Sequence, residues 1–267
     1  MSPRYPLQID GLTRQLSMKV HESGDTIVSE SIKTKGIWEA YETQLLLQLL
    51  SEGDTFLDIG ANIGYYSLIG AECVGESGKV FSFEPEATNF ALLCDNVNHF
   101  NLKHVQTANI ALSNQTGESP LYLSKNNFGD HQIFPDDKSR HSQIITLARA
   151  DDYLAELPKA HCIKMDVQGS ESAVFEGMKA LISRSLPELS LIIEFWPHGL
   201  TRAGSSAHAL LDELIALHLP LYIIDHIQHQ LIPCADSDLR PWIDDVNNDP
   251  NNEGFMNLLL THKDLPK

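Results

Sequence analysis

Residues 55–64 read TFLDIGANIG, and this stretch decides the fold. It begins as a short apolar run, which is typical of a buried strand, and it ends in a turn that contains Gly60 and Gly64. A helical pattern continues from there to about Val74. Strand, glycine turn and helix in this order predict the first unit of an α/β sheet, with the turn at the carboxyl end of the strand.

The same alternation of strand and helix continues from about residue 37 to residue 262. Further strands are predicted at 79–84, 105–112, 161–166, 189–195, 220–225 and 256–261, and helices at 38–50, 86–100, 170–182 and 205–218. Several of these strands are nearly all apolar, as in strands that helices cover on both faces. We therefore predict a doubly wound, mostly parallel sheet in one domain that spans residues 37–262.

Three segments do not follow this alternation. Residues 1–36 form an N-terminal extension, in which residues 16–33 are predicted to be a β-hairpin with its turn at 22–25. Residues 124–143 are polar and irregular, and we expect a cover of the active site there. The Asn- and Asp-rich residues 244–254 are interpreted as a mobile loop.

Composition excludes some classes of partner. The 267 residues carry 36 acidic and 19 basic side chains, a net charge of −17, which disfavours nucleic acid and anionic membrane surfaces as partners. The four cysteines are far apart and form no Cys-x-x-Cys pair, which indicates reduced thiols rather than a zinc site or a disulfide framework. No signal-peptide or membrane-spanning pattern is found, so the sequence predicts a cytoplasmic protein.

The glycine turn also indicates which cofactor binds. A dinucleotide fingerprint reads Gly-x-Gly-x-x-Gly, whereas Asn62 stands at the second glycine position here. A side chain at that position, with Asp58 just before the turn, favours a cofactor without a pyrophosphate. Glu84 ends the second strand, where an acid can accept hydrogen bonds from a ribose diol. These features predict S-adenosylmethionine.

Several motifs together resemble the FkbM-type methyltransferases of the class I S-adenosylmethionine-dependent superfamily. They are GIWE at 36–39, FLDIGANIG at 56–64, FEP at 83–85, NIALS at 109–113 and IKMDVQGSE at 163–171. The resemblance implies the class I fold, a seven-stranded sheet whose last strand runs antiparallel. It also implies methyl transfer to oxygen, commonly a hydroxyl of a sugar, a lipid or another small metabolite.

The same resemblance assigns roles to individual residues. Near the methionine end of the cofactor it places Asp58, Gly60, Asn62 and Gly64. Glu84 would hold the ribose, Asn109 to Ala111 would border the adenine, and Asp166 would face the methionine end or the reacting centre. Gln168 departs from the family, which often has glutamate there, and an amide cannot serve as a base.

A hydroxyl is a poor nucleophile until its proton leaves, so methyl transfer to oxygen usually needs a base or a metal. His131 and Asp166 are the two candidate bases, although His131 also fits a solvated loop and Asp166 also fits the start of a helix. Lys164 is expected to form an ion pair with Asp166 or Glu194. Glu194, Trp196 and His198 are candidates for contact with the acceptor. The acidic pairs at 136–137, 151–152 and 244–245 lack further spaced ligands, so no metal site is predicted.

Two other functions stay open at this stage. An NAD-type oxidoreductase shares the fold class, but Asn62 and the absence of a Tyr-x-x-x-Lys pair disfavour it. A non-catalytic binder of S-adenosylmethionine or a nucleoside has the same cofactor motifs. Neither the methyl acceptor nor the oligomeric state is predicted.

Overall fold

The computed structural model describes residues 3–134, 140–249 and 251–265. The strands are β1 (Tyr5–Pro6), β2 (Ser17–Met18), β3 (Thr55–Ile59), β4 (Lys79–Phe83), β5 (Val105–Ala108), β6 (Ala111–Leu112), β7 (Gly117–Tyr122), β8 (Ser142–Ala148), β9 (Cys162–Met165), β10 (Ser190–Phe195), β11 (Leu221–Asp225), β12 (Gln230–Pro233) and β13 (Met256–Leu260). The helices are α1 (Val28–Lys35), α2 (Ala40–Leu49), α3 (Tyr65–Val74), α4 (Ala87–His99), α5 (Ala150–Tyr153), α6 (Glu171–Gly177), α7 (Lys179–Ser185), α8 (Pro197–Arg202), α9 (Ala207–Ile215) and α10 (Asp236–Asn248).

The large sheet has the strand order β12-β11-β13-β10-β9-β3-β4-β5. The five strands from β10 to β5 in this order pair in parallel, and β13 runs antiparallel to both of its neighbours. The predicted α/β sheet with an antiparallel last strand is therefore confirmed. β12 pairs antiparallel with β11 and adds an eighth strand at the edge.

Helices cover both faces of this sheet, because successive strand side chains point to opposite sides. Leu57 and Ile59 of β3 pack into one core, together with apolar side chains from α6, α7 and α9. Phe56 packs into the other core, with side chains from α2, α3 and α4. All five residues of β3 are buried. This two-sided burial explains the nearly apolar strand in the sequence.

The order of the strands creates a crevice at one edge of the sheet. The chain runs outwards from β3 through β4 to β5, and then returns to the other side of β3 as β9 and β10. β3 and β9 are neighbours in the sheet, and the connections that follow them lead in opposite directions, to β4 and to β10. Ligands of open α/β sheets bind in such a crevice, at the carboxyl ends of the strands.

The N-terminal hairpin is present but lies elsewhere than predicted. β1 pairs antiparallel with β2, with Tyr5 opposite Met18, and residues 28–35 form a helix instead of the second strand. The carboxylate of Asp25 accepts the backbone N–H groups of Ile27 and Ser29. It thereby caps donors at the start of α1, so a helix follows the predicted turn in place of the second strand.

The predicted strand at 105–112 is divided between two sheets. β5 belongs to the large sheet, whereas β6 belongs to a three-stranded sheet of order β6-β8-β7. β8 begins at Ser142, inside the segment that we expected to be irregular. The acidic pair at 136–137 lies outside the described residues.

Two further predictions need correction near the C-terminus. The predicted helix at 170–182 is two helices, α6 and α7, and the second continues to Ser185. The mobile loop predicted at 244–254 is wrong for its first part, because α10 continues to Asn248. Leu239, Ile243 and Val246 are buried at helical spacing, and this apolar face fixes the helix against the core. Among the described residues, no helix is both long enough and apolar enough to span a membrane.

Candidate active site

A cavity of about 430 Å³ opens at the carboxyl ends of the central strands. Its wall combines residues that follow β3, β4, β9 and β10 with residues from α3, the segment 127–131 and the residues before α2. Residues of this wall include Trp38, Glu39, Gly60, Asn62, Tyr66, Glu84, Ala111, His131, Lys164, Asp166, Gln168, Glu194 and Trp196. Among the predicted site residues, Gly60, Asn62, Glu84, Ala111, His131 and Asp166 are thus brought together in one wall.

The turn after β3 requires glycine at its first position. Gly60 has a φ of +84°, and a Cβ there would lie 1.9 Å from the backbone oxygen of Asp166. The backbone N–H groups of Gly60 and Ala61 both donate to the carbonyl oxygen of Phe83, at 3.0 and 2.9 Å. The turn is therefore held closely between the ends of β4 and β9.

Glu84 is fixed at the end of β4 by the turn itself. Its Oε2 accepts the backbone N–H of Asn62 at 2.8 Å, and its Oε1 accepts that of Glu86 at 2.8 Å. The side chain is buried, and burial raises the pKa of Glu84 to about 8. Each carboxylate oxygen has a second lone pair, so this acid can still accept hydrogen bonds from a diol.

Asn62 has a polar atom that its surroundings leave unsatisfied. Its Oδ1 is buried and has no hydrogen-bond partner among the described residues. The backbone has a φ of +49°, a left-handed conformation that asparagine tolerates better than most residues. Buried polar atoms nearly always have a partner, so a donor on a bound ligand is the natural one for this oxygen.

Three residues predicted to bind the cofactor do not line the cavity. Asp58 is buried within β3, its Oδ2 accepts the Ser67 hydroxyl at 2.6 Å, and burial raises the pKa of Asp58 to about 6. A Cβ on Gly64 would lie 2.6 Å from the Leu93 side chain, so this glycine allows α3 and α4 to pack closely. Asn109 donates to the carbonyl oxygens of Glu84 and Pro85, at 2.9 and 3.0 Å. It supports the turn after β4, whereas Ala111 reaches the wall.

Asp166 lies at the end of β9 and is bound on both oxygens. Its Oδ1 accepts the side-chain amide of Gln168 at 2.8 Å, and its Oδ2 is 3.3 Å from Lys164 Nζ. The same Gln168 amide nitrogen donates to Glu194 Oε2 at 3.0 Å. Gln168 therefore bridges two carboxyl groups, where a glutamate would add a third acid and remove the donor.

Lys164 is a buried cation beneath the cavity. Its Nζ is 3.3 Å from Glu42 Oε1 and 4.6 Å from the centre of the Tyr66 ring. The predicted ion pair with Asp166 is present. Burial alone would lower the pKa of Lys164, but the carboxylates of Glu42 and Asp166 hold it well above its usual value.

Glu39 was not identified as a site residue from the sequence. It precedes α2 with a φ of +41°, lines the cavity, and accepts the Tyr66 hydroxyl at 2.8 Å through Oε2. Burial, and next the charge of Glu42, raise the pKa of Glu39 to about 8. The motif at 36–39 contains this acid, but nothing in a linear pattern shows that α2 begins beside the end of β9.

The two histidines considered from the sequence differ in position. His131 lines the cavity, its Nδ1 accepts the backbone N–H of Ser124 at 3.0 Å, and burial lowers its pKa. A neutral ring with Nδ1 as acceptor carries its proton on Nε2, so the free nitrogen is a donor. His198 is instead bound through Nε2 to the Val246 carbonyl oxygen at 2.8 Å. It supports α10 and does not line the cavity, whereas its neighbour Trp196 does.

One group of side chains has the composition of a metal site. Glu39, Glu42 and His226 bring potential ligand atoms within 4.8 Å of one another. Both oxygens of Glu42 already face nitrogen groups, however, because Lys164 is 3.3 Å from Oε1 and the Asn257 amide donates to Oε2 at 2.7 Å. We assign no metal to this group.

Comparisons with known proteins identify similar chains. The model of a family described as the methyltransferase FkbM domain matches residues 58–219. Hexuronic acid methyltransferase AglP of Haloferax volcanii is 29% identical over 140 residues, which is 51% of this chain and 54% of that protein, so the chain spans about half the length of this curated relative.

Solved structures also show similarity. The crystal structure of methyltransferase FkbM from Methylobacillus flagellatus aligns with a TM-score of 0.49 and 18% identity, covering 79% of this chain and 44% of that one. A SAM-dependent O-methyltransferase from Thermotoga maritima aligns with a TM-score of 0.40 and 13% identity, covering 85% and 66% of the two chains.

Proposed function

Because the chain belongs to the family of the methyltransferase FkbM domain, we propose that it transfers the methyl group of S-adenosylmethionine to a hydroxyl oxygen of a small molecule. The observation that carries this proposal is the joining of Glu84 to the glycine turn through the Asn62 N–H. A carboxyl group that can accept hydrogen bonds from a ribose diol and a tight backbone turn thereby face the same cavity. The methyltransferase domain is proposed to be residues 37–262, preceded by the extension of residues 1–36.

The cavity wall fits this cofactor in two respects. Glu84 presents a carboxyl group that can accept hydrogen bonds from hydroxyls, and the buried Asn62 Oδ1 lacks a donor. We propose that Glu84 binds the ribose diol, that Ala111 borders the adenine, and that Gly60, Asn62 and Asp166 lie along the methionine end. Asp58, Gly64 and Asn109 would act indirectly, by holding the strand, the helix and the turn that position these residues.

The chain's own contribution to the reaction is positioning and proton removal. When bound, S-adenosylmethionine supplies an electrophilic methyl group on a sulfonium. Asp166 is the better of the two predicted bases, since its carboxylate lines the cavity and can accept the proton of an acceptor hydroxyl. His131 presents Nε2–H in its neutral form, so it would donate a hydrogen bond to the acceptor instead. The rings of Trp38 and Trp196, which line the cavity, would exclude water and align the acceptor.

The class of acceptor is proposed from the relative and from the cavity. AglP is named for a hexuronic acid, and only the sugar ring of that compound, not its carboxylate, is carried over to this proposal. Trp38 and Trp196 line the cavity beside the carboxyl groups of Glu39 and Glu194. Aromatic rings and carboxyl groups together suit a polyhydroxylated compound, because the rings contact its C–H faces and the carboxyl groups bind its hydroxyls.

Calorimetric titration of the purified protein with S-adenosylmethionine and with NAD tests the cofactor. Binding of S-adenosylmethionine alone supports the proposal, whereas binding of NAD alone favours an oxidoreductase. Release of S-adenosylhomocysteine in the presence of candidate hydroxyl compounds then separates an enzyme from a non-catalytic binder.

Asp166→Asn and His131→Gln test the two predicted bases. We expect Asp166→Asn to lower kcat by ~10²–10⁴-fold, the usual contribution of a general base. Asp152→Asn is the matched control, because this carboxylate is well exposed. If His131→Gln has the larger effect on kcat, the roles of the two residues must be exchanged.

A further inference from the structure

The cavity has two halves, which the strand order defines. Glu84 and Ala111 mark the half beyond β3 on the side of β4, which we proposed for the ribose and adenine. The other half lies over β9 and β10 and beside the start of α2. We call it the acceptor half, and its wall includes Trp38, Glu39, Lys164, Asp166, Glu194 and Trp196.

Among the described residues, the acceptor half offers no uncompensated cation to an anionic group. Lys164 is the one lysine or arginine in the cavity wall among the described residues. Its ammonium group lies 3.3 Å from both Glu42 and Asp166, and its side chain is 4% exposed. The charge of Lys164 is therefore already compensated by the protein.

Negative or neutral acids surround this cation. Glu39 and Glu194 both line the cavity, and burial raises the pKa of each, to about 8 for Glu39 and well above the usual range for Glu194. In their ionised forms these acids would repel an anion. In their protonated forms they would accept and donate hydrogen bonds, as hydroxyl groups require. Neither state provides a positive charge.

Glu253 does not change this balance. It also lines the cavity, and its Oε1 is 2.7 Å from Arg202 Nη2. The Arg202 guanidinium lies 5.5 Å from the centre of the Trp196 ring, so this cation is held between the carboxylate and the aromatic ring. The pair adds no uncompensated positive charge to the acceptor half.

We propose that the acceptor half selects an uncharged or amine-bearing polyhydroxyl compound and rejects an acceptor with a carboxylate, sulfate or phosphate beside the reacting hydroxyl. This inference rests on the proposed function, since it assumes that the acceptor binds opposite the ribose half. An anionic group would be desolvated beside carboxyl groups with no free cation, which opposes its binding. Glu42 and Asp166 would set this specificity, because they neutralise the charge of Lys164 and leave no free positive charge for a ligand.

Matched sugar probes test the proposal. Methyl β-glucoside, methyl β-glucosaminide and methyl β-glucuronide differ in charge but share a ring, and saturation-transfer NMR measures their binding to the protein saturated with S-adenosylhomocysteine. We expect the first two to bind and the glucuronide to bind on the order of 100-fold more weakly, because its carboxylate would be desolvated with no free cation to compensate it. Equal or tighter binding of the glucuronide would overturn the inference, and so would no binding of the first two.

Glu42→Gln tests whether the held cation sets the specificity. The amide keeps an acceptor for the Asn257 side chain but removes one carboxylate from Lys164, so glucuronide affinity should rise about 10-fold. Asp166→Asn provides a second variant, which removes the other carboxylate from Lys164, and it should also raise glucuronide affinity. Unchanged affinity in both variants would overturn the assignment.

The same samples separate this inference from the proposed function. Calorimetric binding of S-adenosylhomocysteine is measured before each sugar titration. If the nucleoside does not bind, the proposed function fails. If it binds and the glucuronide binds as well as the glucoside, only the charge selectivity fails.

Discussion

The backbone N–H of Asn62 donates to Oε2 of Glu84 over 2.8 Å, which joins the glycine turn after β3 to the acid at the end of β4. The two residues are neighbours because β3 and β4 pair in parallel, with Ile59 opposite Phe83. Each therefore helps to orient the other. A substitution at either position should affect cofactor binding through both.

At pH 9, where Glu84 is ionised, Glu84→Ala should weaken binding of S-adenosylmethionine by about 1.5–3 kcal/mol, the range for a hydrogen bond to a charged group. Titration calorimetry measures this loss. Glu86→Ala is the control, because the Glu86 carboxylate accepts the Asn89 N–H at the start of α4 and does not line the cavity. The control should lower the unfolding temperature but leave affinity near normal. Unchanged affinity in Glu84→Ala would place the ribose elsewhere.

Binding of 5′-methylthioadenosine should depend on pH through Glu84. This probe has the ribose and adenine but no group of its own that titrates between pH 6 and 9. Burial raises the pKa of Glu84 to about 8, and ribose hydroxyls bind the ionised carboxylate better. Affinity should therefore rise with pH, by up to ~10-fold per unit, and become constant above about pH 8. Glu84→Gln should abolish this rise, and a rise that persists in the variant would assign it to another group.

Gly60→Ala should destabilise the protein by about 3 kcal/mol or more, because the new Cβ meets backbone and also adopts an unfavourable φ. Gly204→Ala is a matched control, since Gly204 has a φ of +79° and nothing lies within 4 Å of its Cβ position. That control should cost only about 1–2 kcal/mol, the strain of the backbone conformation alone. Chemical denaturation measures both. Similar losses in the two variants would show that the turn can move away from Asp166.

Lys164→Met should destabilise the protein by about 3–5 kcal/mol, because it leaves buried Glu42 without its cation. Adding Glu42→Gln should recover part of this loss, since the unpaired charge is then removed as well. A double-mutant cycle measured by denaturation gives the coupling between the two side chains. Additive losses would contradict a direct interaction.

Much of the fold was predictable because it depends on local patterns. The apolar runs of β3, β9 and β10 indicated strands buried on both faces, and the structure confirms the doubly wound sheet. The errors arose where a particular contact of a few side chains outweighed the overall composition of the segment. Asp25 caps a helix where a hairpin was predicted, and the buried face of α10 lies in a segment whose polar residues dominate its composition.

The candidate site was only partly predictable. Gly60, Asn62, Glu84 and Asp166 were found because each follows a strand, and the carboxyl ends of parallel strands share one edge. Asn109 and Gly64 belong to the same motifs but support neighbouring backbone and helices instead of lining the cavity. A motif marks a region of the chain and does not separate residues that line a cavity from those that hold it in place.

The alternation of strands and helices, the glycine turn and the acid at the end of the strand that follows it could be predicted from the sequence, since they depend on residues close together in the chain. Only the tertiary structure decided that Glu39 and Glu42 from the start of α2 meet Lys164 and Asp166 of β9 and the loop that follows it. These groups are more than 100 positions apart, and their charges interact strongly only because burial removes the water between them. The charge of the acceptor half is therefore a property of the folded chain.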